Sequence, residues 1–471
     1  MSQSDRFGLQ DRVLLEVEDM NTHLEVAGAF LFEAGPLTRP EGGLDTDRIR
    51  EYVASRLYRI PRYRQRVEYV PFEGHPVWVD DANFNIQYHV RHTRLPLPGD
   101  ERQLKRLCGL IFSQQLDRRK PLWELWVVEG LDGDRFALVP KNHHCMIDGI
   151  SGVDLLETLL TPEPAKVFDP GPTWLPRPTP EQGQLLRDEL GKRMRAPLAL
   201  GNAMLRAIRK PRETFERAGD VLAGFRETRN ALATLASETP LNRPIGPHRR
   251  FDWLAMDLDA VKRVKQKLGG TVNDVVLATS AGAIGHFLEL RGVTQREQED
   301  LDFRAACPVS TRADAERGRL GNQVAGLVVP LPIAERDPRR RLATVIETME
   351  RAKDSKQTLA AESISALGEW TSPRLFSALA KRNLSSRTYN LNISNIPGPP
   401  FRLHLLGARM TETYPAVPLT LHQALSIGIF SYSGGLFWGL NSDWDQLPDL
   451  HDLVLSIDKS FVELCEAAEG E

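Results

Sequence analysis

The sequence predicts a mixed α/β protein built from two units of roughly two hundred residues each. Three observations carry this. The chain has 471 residues, more than one compact core usually holds. In both halves, short apolar runs of strand character alternate with windows of helical spacing. Between them lie Pro162, Pro164, Pro170, Pro172, Pro176, Pro178 and Pro180, a density that no regular element survives. The expected organisation is a first unit over 1–161, a proline-rich linker and basic helical crossover over 162–245, and a second unit over 246–471.

In the first unit, 47–57 has helical character, with Asp45 or Thr46 available as its cap. Residues 76–80 and 84–89 read as short strands. Residues 101–115 read as a helix with Leu104, Leu107, Leu110 and Ile111 on one face. Residues 123–128 form an apolar strand. A further strand, from Phe136 through Val139, continues over 141–145 towards a glycine turn, and 150–160 opens a helix. Pro140 lies inside that strand. It cannot donate to a ladder, so it must occupy an edge-facing or bulged position.

The crossover, 182–236, turns helical and holds eleven Lys and Arg against six Asp and Glu. This is either an interdomain connector with a solvated face or a surface that meets anionic lipid. In the second unit Gly269-Gly270 closes one helix. Thr271 can cap the next, with Asp274 completing a capping box. The strand around Leu391 and Ile393 stops at Ile396-Pro397-Gly398-Pro399-Pro400. Ser433-Gly434-Gly435 joins 425–432 to 436–440 as a hairpin.

Composition narrows the function classes. A hydrophobic fraction of 41% and a charged fraction of 26% are those of a soluble globular protein. No apolar run reaches the length of a transmembrane helix, and the N-terminal residues lack the apolar core of a signal peptide. Cys108, Cys145, Cys307 and Cys465 are scattered and form no CxxC, so neither a zinc site nor a disulfide framework is expected. A reducing cytoplasm fits. The net charge of −3 gives no support to nucleic-acid binding. There is no GxSxG elbow, P-loop or dinucleotide fingerprint.

The segment His143-His144-Cys145-Met146-Ile147-Asp148-Gly149 carries the chemistry. It reads HHxxxDG. On extended backbone, adjacent side chains point to opposite faces, so His143 and His144 cannot both face one cavity. One can serve as a base while the other packs behind it. The same parity argues against a Cys145–His144 nucleophile–base pair. A neutral imidazole at pH 7 can accept a proton from an attacking hydroxyl. Asp148 can brace the loop through an arginine, and Gly149 permits the sharp turn. Two histidines on opposed faces with no third nearby are a poor metal site, and no metal is expected.

HHxxxDG resembles the signature of the CoA-dependent acyltransferase superfamily, which includes chloramphenicol acetyltransferase, carnitine acyltransferases and peptide-synthetase condensation domains. Further segments are Pro121-Leu122-Trp123-Glu124, Asn273-Asp274 within TVNDVVLA, Pro308-Val309-Ser310-Thr311-Arg312 followed by Gly321-Asn322, and Asn392-Ile393-Ser394-Asn395-Ile396-Pro397-Gly398-Pro399. In this order, over about 11–449, they resemble the bacterial bifunctional wax ester synthase/acyl-CoA:diacylglycerol acyltransferase family. The resemblance implies two chloramphenicol-acetyltransferase-like α/β units with an active-site channel between them. It implies an O-acyltransferase that moves a long-chain acyl group from acyl-CoA to diacylglycerol or a long-chain alcohol, with His144 as base. Acyl-CoA enters as co-substrate, with no permanently bound cofactor. Membrane-soluble acceptors imply a cytoplasmic protein peripherally associated with the inner membrane or lipid inclusions.

Site roles divide as follows. His144, His143, Asp148 and Gly149 form the catalytic motif. Asn273 or Asp274 could hold substrate or oxyanion, although both also suit a helix start. Ser310, Arg312, Asn322 and Asn395 are candidates to border the substrate channel, or to be polar loop and strand-end residues. Pro121, Leu122 and Trp123 serve as acyl pocket or scaffold. Arg62 and Arg64 are both candidates to pair with Asp148. Two other readings remain open: a catalytically idle lipid-surface scaffold on the same fold, and a condensation-type acyltransferase fed by carrier-protein thioesters.

Overall fold

The computed structural model describes residues 5–72, 74–146, 158–165, 167–181, 183–187, 235–310, 324–354 and 387–470. In chain order the strands are β1 (Asp5–Arg6), β2 (Glu25–Glu33), β3 (Gln65–Tyr69), β4 (Pro76–Asp80), β5 (Val90–Arg94), β6 (Trp123–Leu131), β7 (Arg135–His143), β8 (Arg249–Asp257), β9 (Arg304–Ser310), β10 (Val324–Pro330), β11 (Leu391–Pro397), β12 (His404–Leu405), β13 (Ala408–Ala416), β14 (Leu425–Tyr432) and β15 (Gly435–Asp443). The helices are α1 (Leu9–Val17), α2 (Thr46–Arg56), α3 (Ile86–His89), α4 (Glu101–Phe112), α5 (Leu258–Leu268), α6 (Val272–Leu290), α7 (Gln295–Glu299), α8 (Pro338–Asp354) and α9 (Leu450–Glu469).

Two six-stranded mixed sheets form the body. One runs β12-β13-β2-β7-β6-β5, the other β10-β9-β11-β14-β15-β8. Each carries its own apolar core. A three-stranded sheet, β1-β4-β3, is appended to the first. Local chemistry sets the helix starts. The Asp45 carboxylate accepts from the Arg48 amide at the start of α2. Asp100 with Gln103, and Thr271 with Asp274, form capping boxes on α4 and α6.

Three expectations change. Residues 84–89 are not a strand. The Asn85 side chain caps a single turn, Ile86–His89, by accepting from the Gln87 amide, and the strand begins only at Val90. The strand before the motif ends at His143, and His144–Met146 form a 3-10 turn. Third, β12 and β13 lie within the span 246–471 but hydrogen-bond into the first sheet, beside β2. Pro140 sits in a central strand, and the β2–β7 ladder lapses opposite it, between the Ala27–Lys141 and Phe30–Leu138 pairs.

The visiting strand β13 fastens the halves together. Tyr414 stacks on Trp253 of β8 at 4.8 Å. A Cβ at Gly439 of β15 would overlap the Pro415 carbonyl oxygen, so only glycine permits this approach. Helix α4 packs against β8. There Lys105 meets Asp252 at 2.6 Å, and the Ser113 hydroxyl accepts from the Arg249 amide at 2.8 Å. Buried Arg249 spans the same seam, donating to the Gly246 and Asn21 carbonyls.

Candidate active site

The site is built at the end of β7. The His143 amide donates to the Leu122 carbonyl at 2.9 Å, and the His144 amide to the Leu24 carbonyl at 2.8 Å. The Cys145 amide then turns back and donates to His143 Nδ1 at 3.1 Å. The His143 ring therefore closes the 3-10 turn that begins at His144. Its Nδ1 lone pair is used, so the ring proton belongs on Nε2. That nitrogen lies 3.4 Å from the Glu18 carboxylate, long for a hydrogen bond and chiefly an electrostatic contact. His143 is 1% exposed. His144 is half-buried, at the start of the turn. The two histidines differ in backbone and burial: His143 ends the strand, whereas His144 begins the turn.

Buried apolar side chains floor the turn. Cys145 packs with Phe7, Leu15, Val67, Trp78, Leu116 and Leu122, and Met146 lies at the margin of this cluster. Burial raises the Cys145 thiol well above its ordinary range, so it is not a poised nucleophile.

Charged groups that the sequence did not single out lie behind the turn. Glu18 faces His143 and also receives Arg118, whose Nη2 stands 2.5 Å from Oε2. Burial would raise the Glu18 carboxyl, but the facing His143 ring and the Arg118 guanidinium outweigh it and hold the group at about 2. Lys141, on the same face of β7 as His143, meets Glu25 at 3.1 Å and donates to the Ile111 and Gln114 carbonyls. Glu25 also accepts from the Leu116 amide at 2.8 Å. Burial pushes Glu25 up to about 7, aided by Glu18 and opposed by Lys141. Lys141 lies two residues before His143 on β7, and this period of two is the one signal that could have flagged it.

Leu122 supplies the carbonyl that holds His143 and is fully buried beside Cys145. Pro121 is buried just before it. Trp123 is 3% exposed. Its indole donates to the Tyr63 carbonyl at 2.8 Å and stacks on His89 at 4.6 Å. Of the two candidate arginines, Arg62 lies over the Trp78 ring at 4.6 Å, within the cluster that floors the turn. Arg64 faces elsewhere, donating to the Ala54 carbonyl and lying over Trp174.

In the second sheet the Asn395 amide donates to Asn273 Oδ1 at 3.3 Å, bringing two of the candidates together. Asp274 is 3% exposed, and its Oδ2 accepts from the Thr271 amide and hydroxyl, each at 2.8 Å. It therefore holds the helix start, while its Oδ1 meets no hydrogen-bond partner among the described residues. Ser310 closes β9, paired with Val324. Asp148, Gly149, Arg312 and Asn322 lie outside the described residues, as does the basic stretch 188–234. Among the described residues no group of three or more His, Cys, Asp or Glu could hold a metal ion, and no helix is long and apolar enough to cross a membrane.

The first part of the chain, residues 8–276, matches the model of the wax ester synthase/diacylglycerol acyltransferase catalytic domain. Residues 320–465 match that of the corresponding C-terminal domain. A Mycobacterium tuberculosis protein named as a diacylglycerol O-acyltransferase is 32% identical, over 99% of this chain and 91% of its own length. Another from the same species is 33% identical, over 97% and 95%. Among solved structures, the wax ester synthase/diacylglycerol acyltransferase of Marinobacter aquaeolei VT8 superposes with a TM-score of 0.67 at 24% identity, covering 98% of this chain and all of that one. The first condensation domain of the CDA synthetase gives 0.55 at 17%, covering 100% of this chain and 97% of that one, which shows the shared chloramphenicol-acetyltransferase-like fold. The chain belongs to the wax ester synthase/diacylglycerol acyltransferase family.

Proposed function

We propose that His144 is the general base of a direct acyl transfer from acyl-CoA to the hydroxyl of diacylglycerol or a long-chain alcohol. The chain is an O-acyltransferase by family, and its products are triacylglycerol or wax ester. The observation that supports the assignment of the base is the difference between the two histidines in burial and bonding. His143 is buried and spent on closing the turn, whereas His144 stands half-buried at the turn's start.

In this mechanism neutral His144 takes the hydroxyl proton as the oxygen attacks the thioester carbonyl. The C–O bond forms, and the carbonyl electrons move onto the oxyanion. Collapse breaks the C–S bond, and protonated His144 returns the proton to the CoA thiolate. No acyl-enzyme is required, in keeping with the inert Cys145. Asn273, fixed by Asn395, is the residue we assign to the oxyanion or acceptor, and Asp274 to the helix start. Asp148 pairs with Arg62, which already lies against the turn's floor, and Gly149 lets the loop reverse. Pro121, Leu122 and Trp123 act as scaffold for the turn rather than as an open acyl pocket. Ser310, Arg312 and Asn322 border the channel between the two units.

The acceptors are membrane-soluble, so the protein meets lipid from the aqueous side, peripherally at the inner membrane or lipid inclusions. The basic stretch 182–236 is our candidate surface. Acyl-CoA is the co-substrate, and no resident cofactor is needed. A second reading, a condensation-type enzyme fed by carrier-protein thioesters, draws on the fold likeness to condensation domains. The test is thiol release from palmitoyl-CoA with hexadecanol, with diacylglycerol and with no acceptor, beside a palmitoyl carrier-protein donor. Acceptor-dependent release from the CoA ester is expected. Turnover only with the carrier donor favours the second reading, and no turnover with any pair would leave an idle scaffold.

A further inference from the structure

We propose that Glu18, clamped by Arg118, is a positioning residue for the reaction: it fixes the His143 ring so that the ring holds closed the turn presenting His144. The proposal rests on the reading of His144 as base, but its structural half can be tested apart from activity.

A neutral imidazole has one N–H and one lone pair. The Cys145 amide points at His143 Nδ1 from 3.1 Å, so that nitrogen must be the acceptor. If the proton moved to Nδ1, two donors would face each other and the amide would lose its partner in a buried turn. An unsatisfied buried amide costs about 1–3 kcal/mol. The other tautomer is therefore disfavoured, provided that Nε2 faces something that wants a proton.

That something is Glu18. Its carboxylate stands 3.4 Å from Nε2, and both side chains are almost fully buried, at 4% and 1% exposure. Glu18 follows α1 directly, and Arg118 holds the same oxygen, Oε2, that faces His143. The guanidinium donates to Oε2 from Nε at 3.1 Å and from Nη2 at 2.5 Å. Nη2 also donates to the Leu15 carbonyl at 2.8 Å, which ties the clamp to α1 itself. The carboxylate is thus fixed in place, with the Arg118 guanidinium meeting its charge.

One short segment grips His143 twice. Arg118 orients the acid that faces the ring, and Leu122, four residues on, accepts the His143 amide. The segment 118–122 is thereby linked to both the ring and the backbone of the residue preceding the base. This gives the Pro121-Leu122-Trp123 region a mechanical task that does not require it to touch substrate. A carboxylate that orients a metal-bound histidine is worth roughly 10–100-fold, and we take the same order for one that orients the ring beside the base.

The test uses full-length protein labelled with 15N-histidine, with the His143 signals assigned through His143→Gln. In the parent, the 15N shifts should report a proton on Nε2 and a bare Nδ1. Glu18→Ala should lose that signature, and kcat should fall about 10–100-fold with KM for palmitoyl-CoA changed less than threefold. Glu18→Gln retains an acceptor for both His143 and Arg118. It should keep the tautomer and recover kcat to within about tenfold of the parent. Should Glu18→Ala not fold, Glu18→Gln compared with Arg118→Met decides: Arg118→Met frees the acid and should broaden or shift the His143 signals while Glu18→Gln does not. A parent ring protonated on Nδ1 overturns the proposal. So does an unchanged His143 spectrum with parental kcat in Glu18→Ala, or in Arg118→Met. If His144 proves not to be the base, the spectra still decide whether Glu18 fixes His143.

Discussion

The pH dependence of folding should expose two buried groups whose effects oppose each other. His89 is 1% exposed, stacked 4.6 Å from Trp123 and 5.1 Å from Phe84, with Nδ1 donating to the Trp123 carbonyl at 2.8 Å. Burial pushes its pKa down to about 4, from an ordinary 6.5, against the pull of that carbonyl. The unfolded chain therefore binds the extra proton first. His89 contributes stability that is present above pH 6.5 and lost as pH falls through 4. At about 1.4 kcal/mol per decade, the contribution is about 3 kcal/mol. Glu25 runs the other way. Its folded value of about 7 lies above the ordinary 4.5, so its contribution is complete below 4.5 and is lost as pH rises through 7. Its size is again about 3 kcal/mol. In the parent the two slopes largely cancel between pH 5 and 6.5. Two substitutions should separate them. Glu25→Gln should leave a protein that loses about 3 kcal/mol on going from pH 7 to pH 4. His89→Phe, which keeps a ring in the stack, should instead gain stability over the upper part of that range. Urea unfolding followed by tryptophan fluorescence at half-unit pH steps reads both. Three parallel profiles would show that neither group titrates as its burial requires.

Two further outcomes follow from the packing. Gly109→Ala adds a good helix former to α4, worth up to about 1 kcal/mol by propensity. Its Cβ would stand 2.8 Å from the Arg249 carbonyl oxygen of β8, however, so the variant should lose about 1–3 kcal/mol in denaturant unfolding, and a gain would mean that this seam is loose. Arg62→Met and Asp148→Asn should lower kcat by similar factors, and the double variant should lose little more than either alone. Additive losses would separate Arg62 from Asp148 and reopen the choice of Arg64.

Much of the frame was legible because it is local. The Thr271–Asp274 capping box, the 76–80 strand and the Ser433-Gly434-Gly435 hairpin each follow from residues a few positions apart. The 84–89 segment misled because Phe84, Ile86 and Tyr88 alternate like a strand. The Asn85 cap and the demand of His89 to stack under Trp123 won instead. The insertion of β13 beside β2 was not legible, since nothing local to 408–416 names a partner almost four hundred residues away. The motif histidines stood out by their spacing, but strand parity does not reach His144, because the strand ends at His143 and a turn begins. The groups that support them were missed for a general reason. Glu18, Glu25, Arg118 and Lys141 read one by one as surface charges, and only folding shows that they neutralise one another inside.

The most direct measurement of whether His144 is the base is His144→Ala with and without added imidazole. The variant should fold like the parent and bind palmitoyl-CoA normally. Its kcat should fall about 10²–10⁴-fold, and free imidazole should restore part of the loss, more so as pH rises through the imidazole pKa. His143→Ala should keep part of its activity and gain nothing from imidazole. Parental turnover in His144→Ala, or rescue of His143→Ala instead, would contradict the assignment.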